Sequence, residues 1–286
     1  MKKQFGKLYK DYRENKIRRR DFLRKISLYV GGTVVASNFL PVFEANYINA
    51  MKELIEPDDL VTENIIYKGE TGEMKAYLAR PKKKMKYPAV IVIHENRGLQ
   101  PHIKDVNRRM AAEGFLAIAP DGLSPLGGTP ENNEDEARQM IQKLDYEKTV
   151  KNFVAAVEYL KTHPLSTGKV GCTGFCWGGG MTNQVAVNSP DLKAAVPYYG
   201  IQPKKEDVPK IKAAILAHYA SDDERIDQGI PEFEAALKEN GKDYQIYTYE
   251  GTKHAFNNDT SERYNEVAAK LAWKRTITFF KEKLKS

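Results

Sequence analysis

Cysteine is nearly missing from this chain: of 286 residues, only Cys172 and Cys176 carry a thiol. Two cysteines four positions apart exclude a disulfide-held scaffold, and a chain this long can bury a core without such staples. No C-x-x-C pair or Cys/His cluster occurs, so the sequence offers no zinc-site pattern. Glycine and proline, at 20 and 14 residues, are too few and too scattered for a collagen-like or low-complexity chain. With 41% hydrophobic and 29% charged residues the composition also excludes a disordered chain. At about 150 residues per domain, one or two domains are expected, and single α/β domains of about 250 residues are common.

A surplus of positive charge is present but confined. The formal net charge is +7, yet residues 1–43 hold eleven basic side chains and three acids, which leaves that segment at +8 and the rest at −1. A near-neutral body argues against a polyanion partner, so no nucleic-acid binding is expected. Within the basic segment, Arg18-Arg19-Arg20-Asp21-Phe22-Leu23-Arg24-Lys25 precedes a weakly apolar stretch from Ile26 to Phe43. Basic region, hydrophobic region, then polar chain is the layout of an export signal. The octet resembles the twin-arginine translocation motif, with Arg18 where Ser or Thr is usual. That resemblance implies the twin-arginine export machinery as a partner and a periplasmic or extracytoplasmic location. The other reading is a retained helix, docked on the body or anchoring it, which leaves a cytoplasmic or membrane-anchored protein. The expected organisation is residues 1–43 as signal or anchor, 44–59 as linker and 60–286 as the enzyme-sized domain.

From about residue 60 the chain alternates between periods. Thr62 to Tyr67 and Met74 to Ala79 alternate apolar and polar residues around Gly69-Glu70-Thr71-Gly72, a hairpin signal. Ala89 to Ile93 and Phe115 to Ala119 are continuous apolar runs, as expected of strands buried on both faces of a parallel sheet. Val170 to Thr173, Ala194 to Pro197, Ala213 to His218 and Tyr244 to Tyr249 read as further strands. Helical patterns cover Ile103 to Glu113, 132–143, 146–162 and Glu262 to Leu284. Repeated βα units predict an α/β fold, a mostly parallel central sheet with helices on both faces.

Chemistry concentrates in Gly174-Phe175-Cys176-Trp177-Gly178-Gly179-Gly180, between a strand pattern and a helix expected to begin near Met181. Small residues two before and two after a central side chain allow the sharp strand-to-helix turn of a G-x-S-x-G nucleophile elbow, here with Cys in the Ser position. Such a thiol sits over a helix N-terminus, whose dipole favours thiolate. An acid follows a later strand, with Asp223 favoured over Asp222 and Glu224. His254 follows the last strand as candidate base. Nucleophile, acid, base is the chain order of an α/β hydrolase. Cys172 reads as a buried inert thiol, and a Cys172–Cys176 disulfide would destroy the elbow. His94 and His218 read as structural, His102 and His163 as surface residues. No metal or cofactor is called for.

Four motifs in order, Val92-Ile93-His94-Glu95-Asn96-Arg97-Gly98-Leu99, Gly174 to Gly179, the Asp223 loop and Lys253-His254-Ala255-Phe256, resemble the dienelactone hydrolase (carboxymethylenebutenolidase) family over residues 60–286. The resemblance implies an α/β-hydrolase fold and a carboxylic ester hydrolase with a Cys176–His254–Asp223 triad and an acyl-thioester intermediate. It also implies that Glu95 contacts the thiol and that the Trp177 and Asn96 backbone N–H groups form the oxyanion hole. The competing role of Glu95 is a surface carboxylate paired with Arg97 or Arg109. A family arginine that binds the substrate carboxylate corresponds to Asn258 here. Arg138 is the one arginine available for a second such site, or else an ordinary member of an acidic helix face. Tyr199, with Tyr198, Trp177 and Phe256, lines the pocket or is core. A lactone or activated ester other than dienelactone is therefore the expected substrate, with a redox-active thiol protein and a non-catalytic binding protein on the same fold as alternatives.

Overall fold

The computed structural model describes residues 59–131 and 133–285, so the expectations for the segment of residues 1–43 and for nearly all of the linker lie outside the described residues. The chain opens with two long strands, β1 (Leu60–Gly69) and β2 (Gly72–Pro81), antiparallel from Leu60↔Pro81 to Gly69↔Gly72. This is the expected hairpin, and Gly72 closes it at φ +113°, in the region that favours glycine. Strands β3 (Tyr87–Ile93), β4 (Leu116–Pro120), β5 (Ser166–Phe175), β6 (Leu192–Tyr198), β7 (Ala214–Asp222) and β8 (Tyr244–Lys253) follow. The sheet order is β1-β2-β4-β3-β5-β6-β7-β8, antiparallel at β1–β2 and β2–β4 and parallel from β4 onward.

Seven α-helices lie among the described residues: α1 (Pro101–Ala112), α2 (Glu134–Gln142), α3 (Tyr146–Thr162), α4 (Trp177–Asn188), α5 (Glu224–Asp227), α6 (Ile230–Glu239) and α7 (Glu266–Lys283). Their distribution follows from the period-2 alternation of the central strands. Ala89, Ile91 and Ile93 of β3 pack with Phe153 and Val157 of α3, Val185 of α4 and Leu237 of α6. Val90 and Val92, on the opposite face, pack with Val106 and Met110 of α1 and Ala272 and Phe280 of α7. Both faces are buried, which is why these strands are unbroken apolar runs.

Helices α4 and α7 begin four residues from where the sequence pattern places them, and α5 and α6 have no counterpart in it. Helix α4 begins at Trp177, immediately after Cys176, rather than near Met181. Three successive glycines argue against helix on propensity, at about 1 kcal/mol each, but here they serve close packing. A Cβ on Gly178 would lie 2.4 Å from the His94 carbonyl oxygen, and one on Gly179 would lie 2.5 Å from that of Tyr198. Helix α7 starts at Glu266, four residues later than expected, because Asn265 caps it by accepting the Ala268 N–H at 3.0 Å.

The register brings the strand ends level. Ile93 pairs with Gly174, Gly174 with Pro197, Tyr198 with His218 and Asp222 with Lys253. Glu95, Cys176, Tyr199, Asp223 and His254 thus all emerge at the carboxyl edge of the sheet, where open α/β folds place their ligands.

Candidate active site

Strain marks the elbow. Cys176 has φ 57° and ψ −116°, a conformation a non-glycine residue holds only when its surroundings impose it. The surroundings are the Cys176 N–H donating to the Tyr198 carbonyl at 3.0 Å and the Gly180 N–H donating to the Cys176 carbonyl at 3.1 Å. Gly174 and Gly178 are required by contact: a Cβ on Gly174 would lie 2.2 Å from the Gly178 carbonyl oxygen. The half-buried Cys176 thiol stands at the start of α4.

His254 follows β8 and donates its Nδ1–H to Asp223 Oδ2 in a very short hydrogen bond. Asp223 follows β7 and caps the short α5, where its own N–H donates to Asp227 Oδ2 at 3.2 Å. Both side chains are largely buried, 18% exposed for His254 and 8% for Asp223. Burial alone would lower the His254 pKa; hydrogen bonds to Asp223 and Cys176, and the charges of both, outweigh it and raise the value to about 9. His254 is therefore held by Asp223, with Cys176 near enough to act on its charge. Asp222, in contrast, is 69% exposed and lies 3.9 Å from Lys253 Nζ, and Glu224 is exposed on α5.

Glu95 is buried, and Asn258 Nδ2 donates to its Oε2 at 2.9 Å. Neither candidate arginine reaches it. Arg97 pairs with Glu134 at 2.6 Å, and Arg109 with Asp105 and, at 2.7 Å, with Asp259, so the surface-pair reading of Glu95 is set aside. Tyr199 is fully buried, holds φ 38°, and its ring centroid lies 4.9 Å from that of His254. Among the described residues its hydroxyl has no hydrogen-bond partner, and burial first, then the charges of Glu95 and Cys176, push its pKa well above the usual value. The phenol therefore feels the charges of Glu95 and Cys176, and its ring packs beside that of His254.

Other candidates sit elsewhere. Arg138 lies on α2 with its guanidinium 2.9 Å from Asp135 and 3.9 Å from Glu134, on the acidic helix face. Tyr198 and Phe256 are fully buried members of the core cluster on the α1/α7 face. Cys172 is buried on the α4 side, 3.7 Å from the Thr182 hydroxyl, and burial pushes its thiol up to about 12. His102 is a correction: expected at the surface, it is buried with Nδ1 3.3 Å from Asp259 Oδ1. An amphipathic helix hides one face, and His102 stands four residues before Val106 and eight before Met110 on the buried side of α1.

Sequence reasoning missed what Asn258 and His94 do. Asn258 stood out only as a missing arginine, with nothing local to signal its hold on Glu95. His94 is fully buried, its Nδ1 2.6 Å from the Glu95 carbonyl oxygen and its ring stacked on Trp177 at 5.2 Å between centroids. The available signal was its place in the Val92 to Leu99 motif.

Comparison with known proteins gives a consistent result. The sequence model of the dienelactone hydrolase family matches residues 74–284. A putative carboxymethylenebutenolidase of Saccharolobus solfataricus is 32% identical over 256 residues, covering 77% of this chain and 98% of its own length. A probable 2-oxo-3-(5-oxofuran-2-ylidene)propanoate lactonase of a Bradyrhizobium species is 32% identical over 227 residues, covering 74% of this chain and 91% of its own. Among solved structures, a putative dienelactone hydrolase of Klebsiella pneumoniae superposes with a TM-score of 0.69 at 29% identity, covering 77% of this chain and 98% of the other.

Proposed function

The chain belongs to the dienelactone hydrolase family, and from that premise we propose that it hydrolyses a lactone or an activated carboxylic ester, with Cys176 as nucleophile, His254 as base and Asp223 orienting the base. The observation that carries this reading is the His254 imidazole, bonded through Nδ1 to Asp223 and raised in pKa to about 9 by Asp223 and Cys176 against the effect of burial.

His254 accepts the Cys176 proton, and the sulfur attacks the acyl carbon while the carbonyl electron pair moves to oxygen. The Trp177 and Asn96 N–H groups receive that oxyanion, an interaction worth about 3 kcal/mol per donor in sites of this kind. Collapse of the tetrahedral intermediate breaks the bond to the leaving oxygen, which takes its proton from His254. The acyl group now rides on sulfur as a thioester. Water, deprotonated by His254, adds to it; the acid leaves and the Cys176 thiolate recovers its proton.

The Tyr199 phenol feels the charges of Glu95 and Cys176, and the family resemblance gives Glu95 a contact with the thiol. Asn258 is neutral and committed to Glu95, so the site has no cation at the position where the family binds a substrate carboxylate. That favours a substrate without a carboxylate there. A role for Arg138 in binding substrate requires it to leave Asp135. The redox reading needs a resolving thiol, and Cys172 is turned toward Thr182 with its pKa raised to about 12. Export of the folded enzyme through the twin-arginine-like segment is part of the proposal, and N-terminal sequencing of the mature protein tests it.

The decisive variant is Cys176→Ala assayed with p-nitrophenyl acetate. Hydrolysis is expected to be lost while the fold is kept; unchanged turnover removes the proposal.

A further inference from the structure

The peptide joining Glu95 to Asn96 carries two relevant groups on opposite edges: the Glu95 carbonyl, and the Asn96 N–H that the proposed chemistry uses as an oxyanion donor. In a planar trans peptide these point in opposite directions, so whatever fixes the carbonyl also aims the N–H. The carbonyl's partner is the His94 ring, with Nδ1 at 2.6 Å. The other ring nitrogen, Nε2, lies 2.9 Å from the Gly122 backbone nitrogen. A backbone N–H can only donate, so Nε2 accepts and the ring proton sits on Nδ1, which donates to Glu95. Full burial also lowers the His94 pKa, against the pull of Asp121 and Glu95, and so favours the neutral ring. The same ring stacks on the Trp177 indole at an interplanar angle of 16°, and Trp177 supplies the second donor. Gly122 leaves the space for this: a Cβ there would lie 3.0 Å from His94 Nε2 and 3.2 Å from the indole.

We propose that His94 is the positioning residue of the oxyanion site, its Nδ1–H holding the Glu95 carbonyl so that the Asn96 N–H faces the developing oxyanion, and its ring seating Trp177 beside it. This rests on the oxyanion roles given to Asn96 and Trp177 above. The bond into the carbonyl also polarises that amide and strengthens its N–H as a donor. Nothing in the chemistry requires His94 to exchange a proton.

Two reactions of the same sulfur separate positioning from mere support. Acylation by p-nitrophenyl acetate generates an oxyanion; alkylation by iodoacetamide needs the thiolate alone. His94→Phe keeps a stacking ring and removes both hydrogen bonds, whereas His94→Asn restores a donor at the δ position. His94→Phe is expected to slow acylation about tenfold to a hundredfold with alkylation changed less than about twofold, and His94→Asn to recover most of the acylation. Unchanged acylation in His94→Phe overturns the inference, as does a parallel fall of both rates. The ring proton is read independently in the wild-type protein by imidazole ¹⁵N NMR, whatever the variants do: an Nε2–H tautomer overturns the inference. A wild-type protein that takes no acyl group on Cys176 removes the functional reading and this inference together. An acylated wild type with an unaffected His94→Phe variant removes this inference alone.

Discussion

Asn258 holds Glu95: its Nδ2–H donates to Oε2 at 2.9 Å, while its Oδ1 accepts the Thr260 N–H at 2.9 Å and the Thr260 hydroxyl at 2.6 Å. Both ends of the carboxamide are committed, so its orientation is fixed and Glu95 is held by a neutral donor. Asn258→Asp would set two buried carboxyl groups within bonding distance, and one of them must then keep a proton. The variant should lose kcat/KM progressively above neutral pH and recover toward lower pH, whereas Asn258→Leu should show a loss that does not vary with pH in this way. Identical pH profiles for the two variants would contradict this role of Asn258.

Asp223 and Asp222 are neighbours in sequence with opposite fates. Asp223→Asn should lower kcat/KM with p-nitrophenyl acetate by about a thousandfold or more, because the amide favours the wrong tautomer of His254. Asp222→Asn, at an exposed site facing Lys253, should change it by less than about twofold. Steady-state kinetics of the two variants decide between them; a larger loss in Asp222→Asn would reassign the acid.

The raised pKa of His254 has a pH signature. The ring titrates near 6.5 in an unfolded chain and at about 9 in the folded protein. Its partners therefore stabilise the fold fully below the unfolded value, and that stabilisation is lost as pH rises through the folded one. The stability difference between wild type and Asp223→Asn should be largest in mildly acidic to neutral buffer and shrink at alkaline pH. Urea titrations across that range measure it, and a difference that grows with pH would contradict the assignment.

Gly178 and Gly127 answer to different constraints, and stability should separate them. Gly178→Ala drives a methyl into backbone, 2.4 Å from the His94 oxygen and 2.5 Å from that of Ile93. A cost of about 3 kcal/mol or more is expected, with the elbow distorted. Gly127→Ala meets nothing within 4 Å but sits at φ +102°, so only conformational strain of about 1 kcal/mol is expected. Urea unfolding of both variants checks the order, and equal losses would show that packing at the elbow is not the constraint.

Much of this architecture was legible in the sequence because burial leaves a period. Ala89 to Ile93 is apolar throughout because its alternate residues enter two different cores. The elbow was legible through spacing, since Gly174 and Gly178 answer to contacts no other residue permits. What stayed hidden depends on distant partners. The ten-residue helix α6 (Ile230–Glu239) buries only Phe233, Ala236 and Leu237, too little apolar pattern to declare itself. Asn258 meets Glu95 across 163 positions of sequence, and His102 is buried by Asp259 at similar range. The start of helix α4 is hidden because local propensity speaks against Gly178 to Gly180, while tertiary packing overrides it.

In the proposed reaction the Cys176 sulfur carries the acyl group. Brief mixing with p-nitrophenyl acetate, acid quench and peptide mass mapping reads this directly. A single acetyl group is expected on the peptide bearing Cys176, accumulating further when His254 is replaced by a residue that can no longer activate water but the thiolate is generated at alkaline pH. Acetyl transfer to any other side chain, or turnover without a modified Cys176 and undiminished in Cys176→Ala, would contradict it.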